Sequence, residues 1–117
     1  MKFLLSFLVA LVAFEHIYFM ILEMFFWTKP KGLKVFGLSL EQAESSKVLA
    51  ANQGLYNGFL AVGLLWGLLN EKSDVVLYFL VCVVIAGIYG SFSTKNIRLF
   101  YVQALPALLA LAIALLI

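Results

Sequence analysis

Four predominantly apolar runs, each long enough to cross a lipid bilayer, constrain this chain more than any other feature. They cover about Phe3 to Trp27, Val48 to Leu69, Val75 to Phe92 and Leu99 to Ile117. Crossing the hydrocarbon core takes roughly 20 residues at about 1.5 Å each, within a range of about 17–25. Backbone amides in hydrocarbon must find partners inside their own segment, which selects helices over open strands. A closed barrel would need short segments of alternating polarity, and none occurs. Composition agrees: 65% of the 117 residues are hydrophobic and 12% are charged, against about 45–50% and about 25% in soluble domains. A soluble chain this short has too much surface for its volume to hide so many apolar groups. The formal charge of +2 is small, and the basic residues sit between apolar runs. No nucleic-acid partner is therefore expected.

The start of the chain, Met1-Lys2 before an apolar run, has the look of a secretory signal. The run continues for about 25 residues, well past the roughly 7–15 of a signal core. Ala13 would be the cleavage residue, and Leu11 before it is too large. The segment is therefore expected to stay as a helix. Cys82 is the sole cysteine. It precludes an intrachain disulfide and reads as a small apolar filler.

The connection Thr28 to Lys47 is the longest and most polar. Thr28-Lys29-Pro30-Lys31-Gly32 stops the first helix. Ser39-Leu40-Glu41-Gln42 then has the form of a capping box, so the second helix starts near Leu40, outside the membrane. The connections Asn70 to Asp74 and Ser93 to Arg98 are short, which makes neighbouring helices antiparallel. The expectation is an all-α polytopic membrane protein. It is a single domain over 1–117, an up-down bundle with helices at about 3–27, 40–69, 75–92 and 99–117. Lys29, Lys31, Lys34, Lys47, Lys95 and Arg98 lie on one side, against Lys2 and Lys72 on the other. The positive-inside rule puts the first and third loops in the cytoplasm and both termini outside, in a bacterial inner (plasma) membrane. Trp27 and Tyr101 fall near the cytoplasmic interface.

Polar residues inside the apolar runs are the candidate site. Helix 1 carries Glu15, His16 and Glu23; helix 2 carries Asn52, Gln53, Tyr56 and Asn57; helix 3 ends with Tyr89; helix 4 carries Gln103. Burying a charged carboxylate at the bilayer centre costs about 2.5–3.5 kcal/mol even on lenient scales, so something must offset it. Counting inward from the cytoplasmic ends puts Glu23, Gln53, Gln103 and Tyr89 in one layer, roughly 5–9 Å deep. The same count puts His16 and Asn57 in a second layer near mid-membrane. His16 and Glu23 share a helix face, as do Gln53 and Asn57. Two facing stripes suggest a polar seam, with Glu15 turned about 100° away toward another helix or a second protomer. The bland alternative is interhelical glue, at about 0.6 kcal/mol per bond. It suits Asn52, Gln53 and Gln103 better than the ionisable residues. Gly54 with Gly58, and Gly63 with Gly67, are small-xxx-small pairs that let helices approach. Gly87 and Gly90 flank Tyr89 in the same spirit. Pro106 lies within helix 4 and is expected to kink it.

Other chemistries lack their residues. There is no phosphate-binding glycine loop, no HExxH and no paired cysteines. One histidine cannot build a multi-histidine metal site. Glu15 and His16 diverge too far to converge on one ion, so neither a metal nor another cofactor is expected. No base is placed to activate Ser45 or Ser46.

The segments HIYFMILEMFFWTKPKGLKVFGLS, KVLAANQGLYNGFLAVGLLWG, AGIYG and VQALPALLAL resemble the small bacterial membrane family catalogued as domain of unknown function 1304. The resemblance spans nearly the whole chain. It implies a four-helix membrane protein without an assigned activity. His16, Glu23, Trp27, Asn52, Gln53, Asn57 and Gln103 match polar or aromatic positions of the family. KVLAANQGLYNG also loosely resembles the helix-2 motif of membrane-associated eicosanoid and glutathione metabolism proteins, with Lys47 and Asn52 in place. Such enzymes use several arginines for a glutathione thiolate, and Arg98 is the sole arginine here.

Three function classes fit. The preferred one is a non-enzymatic membrane protein whose seam binds or conducts a small molecule, a lipid or a proton. The second is an enzyme acting on a lipophilic substrate. The third is a structural or assembly subunit. The bilayer is the expected partner in each, and a homo-oligomer is compatible with all three.

Overall fold

A computed structural model describes all residues, 1–117. The chain is helical throughout, with no strand. Helix α1 covers Lys2–Phe25, α2 Pro30–Phe36, α3 Leu40–Leu69 and α4 Ser73–Thr94. The short α5 (Ile97–Leu99) passes through a π-helical turn, Phe100–Ala104, into α6 (Leu105–Leu116). Four stretches are long and apolar enough to cross a membrane: Lys2–Phe25, Leu40–Leu69, Ser73–Thr94 and Ile97–Leu116.

Local chemistry sets the ends. At the start of α3 the Gln42 N–H donates to Ser39 Oγ (3.1 Å) and the Ser39 N–H donates to Gln42 Oε1 (2.9 Å). This is the reciprocal capping box expected from the sequence. Three helices end in left-handed turns that satisfy their last carbonyls. Gly37 (φ 65°) closes α2, with the Leu38 N–H donating to the Leu33 carbonyl at 3.0 Å. Glu71 (φ 53°) closes α3, with the Lys72 N–H on the Gly67 carbonyl at 2.8 Å. Lys95 (φ 56°) closes α4, with the Asn96 N–H on the Ser91 carbonyl at 3.0 Å.

Two features differ from the sequence expectation. The first connection is not all loop, because α2 forms within it. Pro30 begins this helix, where a missing N–H costs nothing. Gly32 allows it to fold back, since a Cβ there would overlap the Phe26 carbonyl. The last span is not a simply kinked helix. Its backbone absorbs Pro106 by widening to a π-turn one turn earlier, where the Leu105 N–H donates to the Phe100 carbonyl. Such a turn rehouses carbonyls that proline would leave unpaired.

The chain packs as two compact units, Met1–Glu15 with Leu60–Ile117, and His16–Phe59. Helices α1 and α3 contribute a length to each. The first unit is a bundle of four helical segments around Val9, Val12, Ala13, Leu64, Leu80 and Val83, all with no exposed surface. Small residues let its segments touch. A Cβ on Gly63 would strike the Phe79 ring, and one on Gly87 would lie 2.8 Å from the Ala104 Cβ. The second unit pairs the end of α1 with the start of α3 around Leu22, Ala43 and Ala50. Helix α2 is held there by the Trp27 ring against Phe36, 4.9 Å between centroids. The indole Nε1–H of Trp27 donates to Ser46 Oγ at 3.1 Å. Large apolar side chains remain exposed along every long helix, Phe3, Val48, Phe92 and Leu116 among them. So much uncovered apolar surface suits a hydrocarbon surround and not water.

Candidate functional site

Within the second unit, one carboxylate gathers the polar residues of two helices. Glu23 on α1 is 4% exposed. Gln53 Nε2 donates to its Oε2 at 2.9 Å, and Asn57 Nδ2 donates to its Oε1 at 2.6 Å. Gln53 and Asn57 stand one turn apart on α3, so both amides face the same neighbour. An ionised carboxylate accepts and never donates, while each amide supplies an NH2 group, so the donors and acceptors match. Each carboxylate oxygen keeps a further lone pair.

The approach that makes these bonds short comes from Gly54 and Gly58. A Cβ on Gly54 would sit 2.8 Å from Met24 Cγ and 3.1 Å from the Cβ of Glu23. A Cβ on Gly58 would sit 2.7 Å from Met20 Sδ. The glycine pair and the amide pair are interleaved on one stretch of α3. One lowers the wall between the helices, and the other places donors beside the gap.

A pocket of about 380 Å³ adjoins the cluster. Glu23, Trp27, Thr28, Lys47 and Asn52 are among its walls. Lys47, at the outer edge, lies 3.1 Å from Glu44 as an exposed ion pair. The volume falls in the range of small-molecule sites, about 300–1,000 Å³.

Residues 10–115 match the family described as Protein of unknown function (DUF1304). The chain belongs to this family. Every residue of the Glu23 cluster lies inside the matched stretch. A similar protein is the Uncharacterized protein YpaA of Lactococcus lactis subsp. lactis (strain IL1403), 34% identical over 105 residues, covering 86% of this chain and 87% of that protein. No solved structure matches.

In this DUF1304 chain the structure brings together only part of the expected seam. Glu23 meets Gln53 at a common level, as the depth count has it. Asn57, which the count pairs with His16, gives its amide to Glu23 instead. The reason is directional. Side chains on a helix tilt toward its N-terminus. On antiparallel helices Glu23 and Asn57 therefore lean toward each other's level, which a count of Cα positions ignores. His16 is fully buried, its ring edge-on to Phe19 at 5.5 Å. Asn52 is exposed on the pocket wall.

Three expected residues belong to the first unit. Tyr89 is 72% exposed on α4, turned away from the interior of its own unit. Gln103 is half-buried within the π-turn. Glu15 has its Oε1 buried with no hydrogen-bond partner. Thr28 and Met24 were not singled out by the sequence and line the pocket. The signal for Met24 was its place beside Glu23, opposite Gly54; Thr28 offered none beyond its polarity at a helix end.

Proposed function

We propose that this chain is an integral membrane protein that binds a small ligand in its cytoplasmic half, with Glu23 as the recognising carboxylate. The single observation that carries the reading is a carboxylate 4% exposed, held in place through both oxygens and bordering a pocket of ligand size. A group fixed this way is pre-organised, so little ordering remains to be done when a guest arrives. Its unused lone pairs favour a guest that donates, such as an amine or an amide, with an apolar body among Trp27, Met24 and Val48. Membrane insertion is supported by four spans of sufficient length and hydropathy. The loop charges support a bacterial plasma-membrane location with both termini outside and the α1–α3 and α4–α5 connections in the cytoplasm.

The glutathione-dependent alternative is less well served. The pocket's one cation is Lys47, already paired with Glu44, and an anionic thiolate would meet Glu23.

The test uses protein reconstituted in liposomes with a fluorescent alkylamine as probe. Wild-type protein is expected to bind the probe saturably, and Glu23→Gln to weaken binding at least tenfold while keeping its helical circular dichroism. Equal binding by the two proteins would refute the site. A pH-sensitive dye inside the same liposomes separates binding from conduction. Proton leakage lost in Glu23→Gln would replace the ligand reading with a proton path.

A further inference from the structure

A second and larger cavity, about 780 Å³, lies entirely within the first unit. It has a charged rim and an apolar interior. The rim carries Lys2 of α1, Glu71 and Lys72 of the α3–α4 turn, and Asp74 in the first turn of α4. Inside are Val9, Leu77 and Ala114. Val9 is about 10 Å along α1 from Lys2 at the helical rise, so the cavity descends roughly two turns from the rim.

The rim charges do not neutralise one another. All four side chains are exposed, and the ion pair of Lys47 with Glu44 involves none of them. Asp74 spends one oxygen on the Val75 N–H at 2.9 Å and keeps the other. The left-handed conformation of Glu71 fixes this turn, bringing an acid and a base to neighbouring positions. Two cations and two anions thus ring the mouth of an apolar hollow. A purely anionic head would meet two carboxylates there, and a purely cationic one two ammonium groups. A head with both charges meets a partner for each.

We propose that this cavity holds one zwitterionic phospholipid whose head carries a phosphate and a primary ammonium. The phosphate lies against Lys2 and Lys72, and the ammonium against Glu71 and Asp74. One acyl chain enters among Val9, Leu77 and Ala114. A primary ammonium suits the carboxylates because it donates hydrogen bonds as well as carrying charge. A quaternary head of the same net charge cannot. This assignment rests on membrane insertion but not on the Glu23 site.

Native mass spectrometry of protein released from nanodiscs tests it. The discs contain equal parts phosphatidylethanolamine, phosphatidylcholine and phosphatidylglycerol of matched chains. Wild-type protein is expected to retain one phosphatidylethanolamine at least fivefold over either competitor. Glu71→Gln with Asp74→Asn is expected to abolish that preference and favour phosphatidylglycerol. Lys2→Gln with Lys72→Gln is expected to reduce retention of all three. Ala114→Trp, which fills the hollow, is expected to expel lipid; the charge variants decide the matter if that protein does not fold. Equal retention of the three lipids by wild type, or an unchanged preference in the Glu71/Asp74 variant, overturns the proposal. Failure of the chain to enter nanodiscs of any composition would instead overturn membrane insertion.

Discussion

Glu15 and Glu23 are the same acid on the same helix, and their surroundings are opposite. Glu23 faces a stretch of α3 where two amides and two glycines alternate, and both its oxygens are answered. Glu15 lies in the unit packed mainly by apolar side chains, where one of its oxygens is buried without a partner. The contrast teaches that an acid in an apolar run is not one kind of feature. Where the facing helix supplies donors, the acid becomes a joint between helices and a fixed point for recognition. Where it does not, an oxygen is left buried and unanswered.

The contrast can be broken most severely at Glu23. Glu23→Ala empties a buried position and leaves the half-buried Asn57 amide and the Gln53 amide without their acceptor, with an expected cost of about 2–4 kcal/mol given the strength of hydrogen bonds to charged groups. Unfolding in detergent titrations measures it. A cost no larger than the roughly 0.6 kcal/mol of an average intramembrane bond would reduce Glu23 to ordinary glue. Next is Gly54→Val, whose side chain would drive Met24 and Glu23 away. Overpacking of this kind costs about 1–3 kcal/mol. Gly90→Ala is the control, because a Cβ there meets nothing within 4 Å. Equal effects of the two would show that glycine content, not the approach at Glu23, matters.

Smaller effects sharpen the comparison. Gln53→Leu and Asn57→Leu are expected to cost about 1 kcal/mol each. Their double variant should deviate from additivity by at least about 0.5 kcal/mol, since both act on one carboxylate. Strict additivity would mean that the amides act separately. Glu15→Met is expected to act in the opposite direction, stabilising by up to about 1 kcal/mol as an unanswered oxygen gives way to an apolar group of similar shape. A loss of stability there would erase the difference between the two acids.

Much of this was legible in the sequence because it depends on local rules. Span length, the Ser39–Gln42 cap and the tight turns need only neighbouring residues. So does the pairing of Gln53 with Asn57 on one face of α3. The contact of Glu23 with Asn57 lies within the expected seam but crosses its two layers, because axial counting fixes where a Cα lies, not which way its side chain tips. Helix α2 went unread because Pro30 and Gly32 are strong stop signals. They end one helix while also beginning another, and only the fold-back onto Phe26 distinguishes the two. The hollow behind Lys2 and Asp74 draws on the ends of all four spans, so no single window of sequence contains it. Tyr89 shows a different failure, since a depth count says nothing of rotation about the helix axis, and the ring is exposed.

The π-turn at Phe100–Ala104 makes chain length itself a carrier of information in the last span. An α-helix turns about 100° per residue, so the extra residue wound into this turn sets the phase of everything after it. Ala104, Ala107 and Ala110 point inward with no exposed surface, while Leu109 is 52% exposed. Deleting Val102 would let the backbone relax to plain α-helix and swing the alanine stripe out of the bundle. Val102→Ala leaves the phase intact. The deletion is expected to destabilise far more than the substitution in the same unfolding titration, although both remove side-chain atoms from one half-exposed position. A lineage carrying this span can therefore exchange its outward residues freely but cannot shorten or lengthen the turn without re-aiming α6.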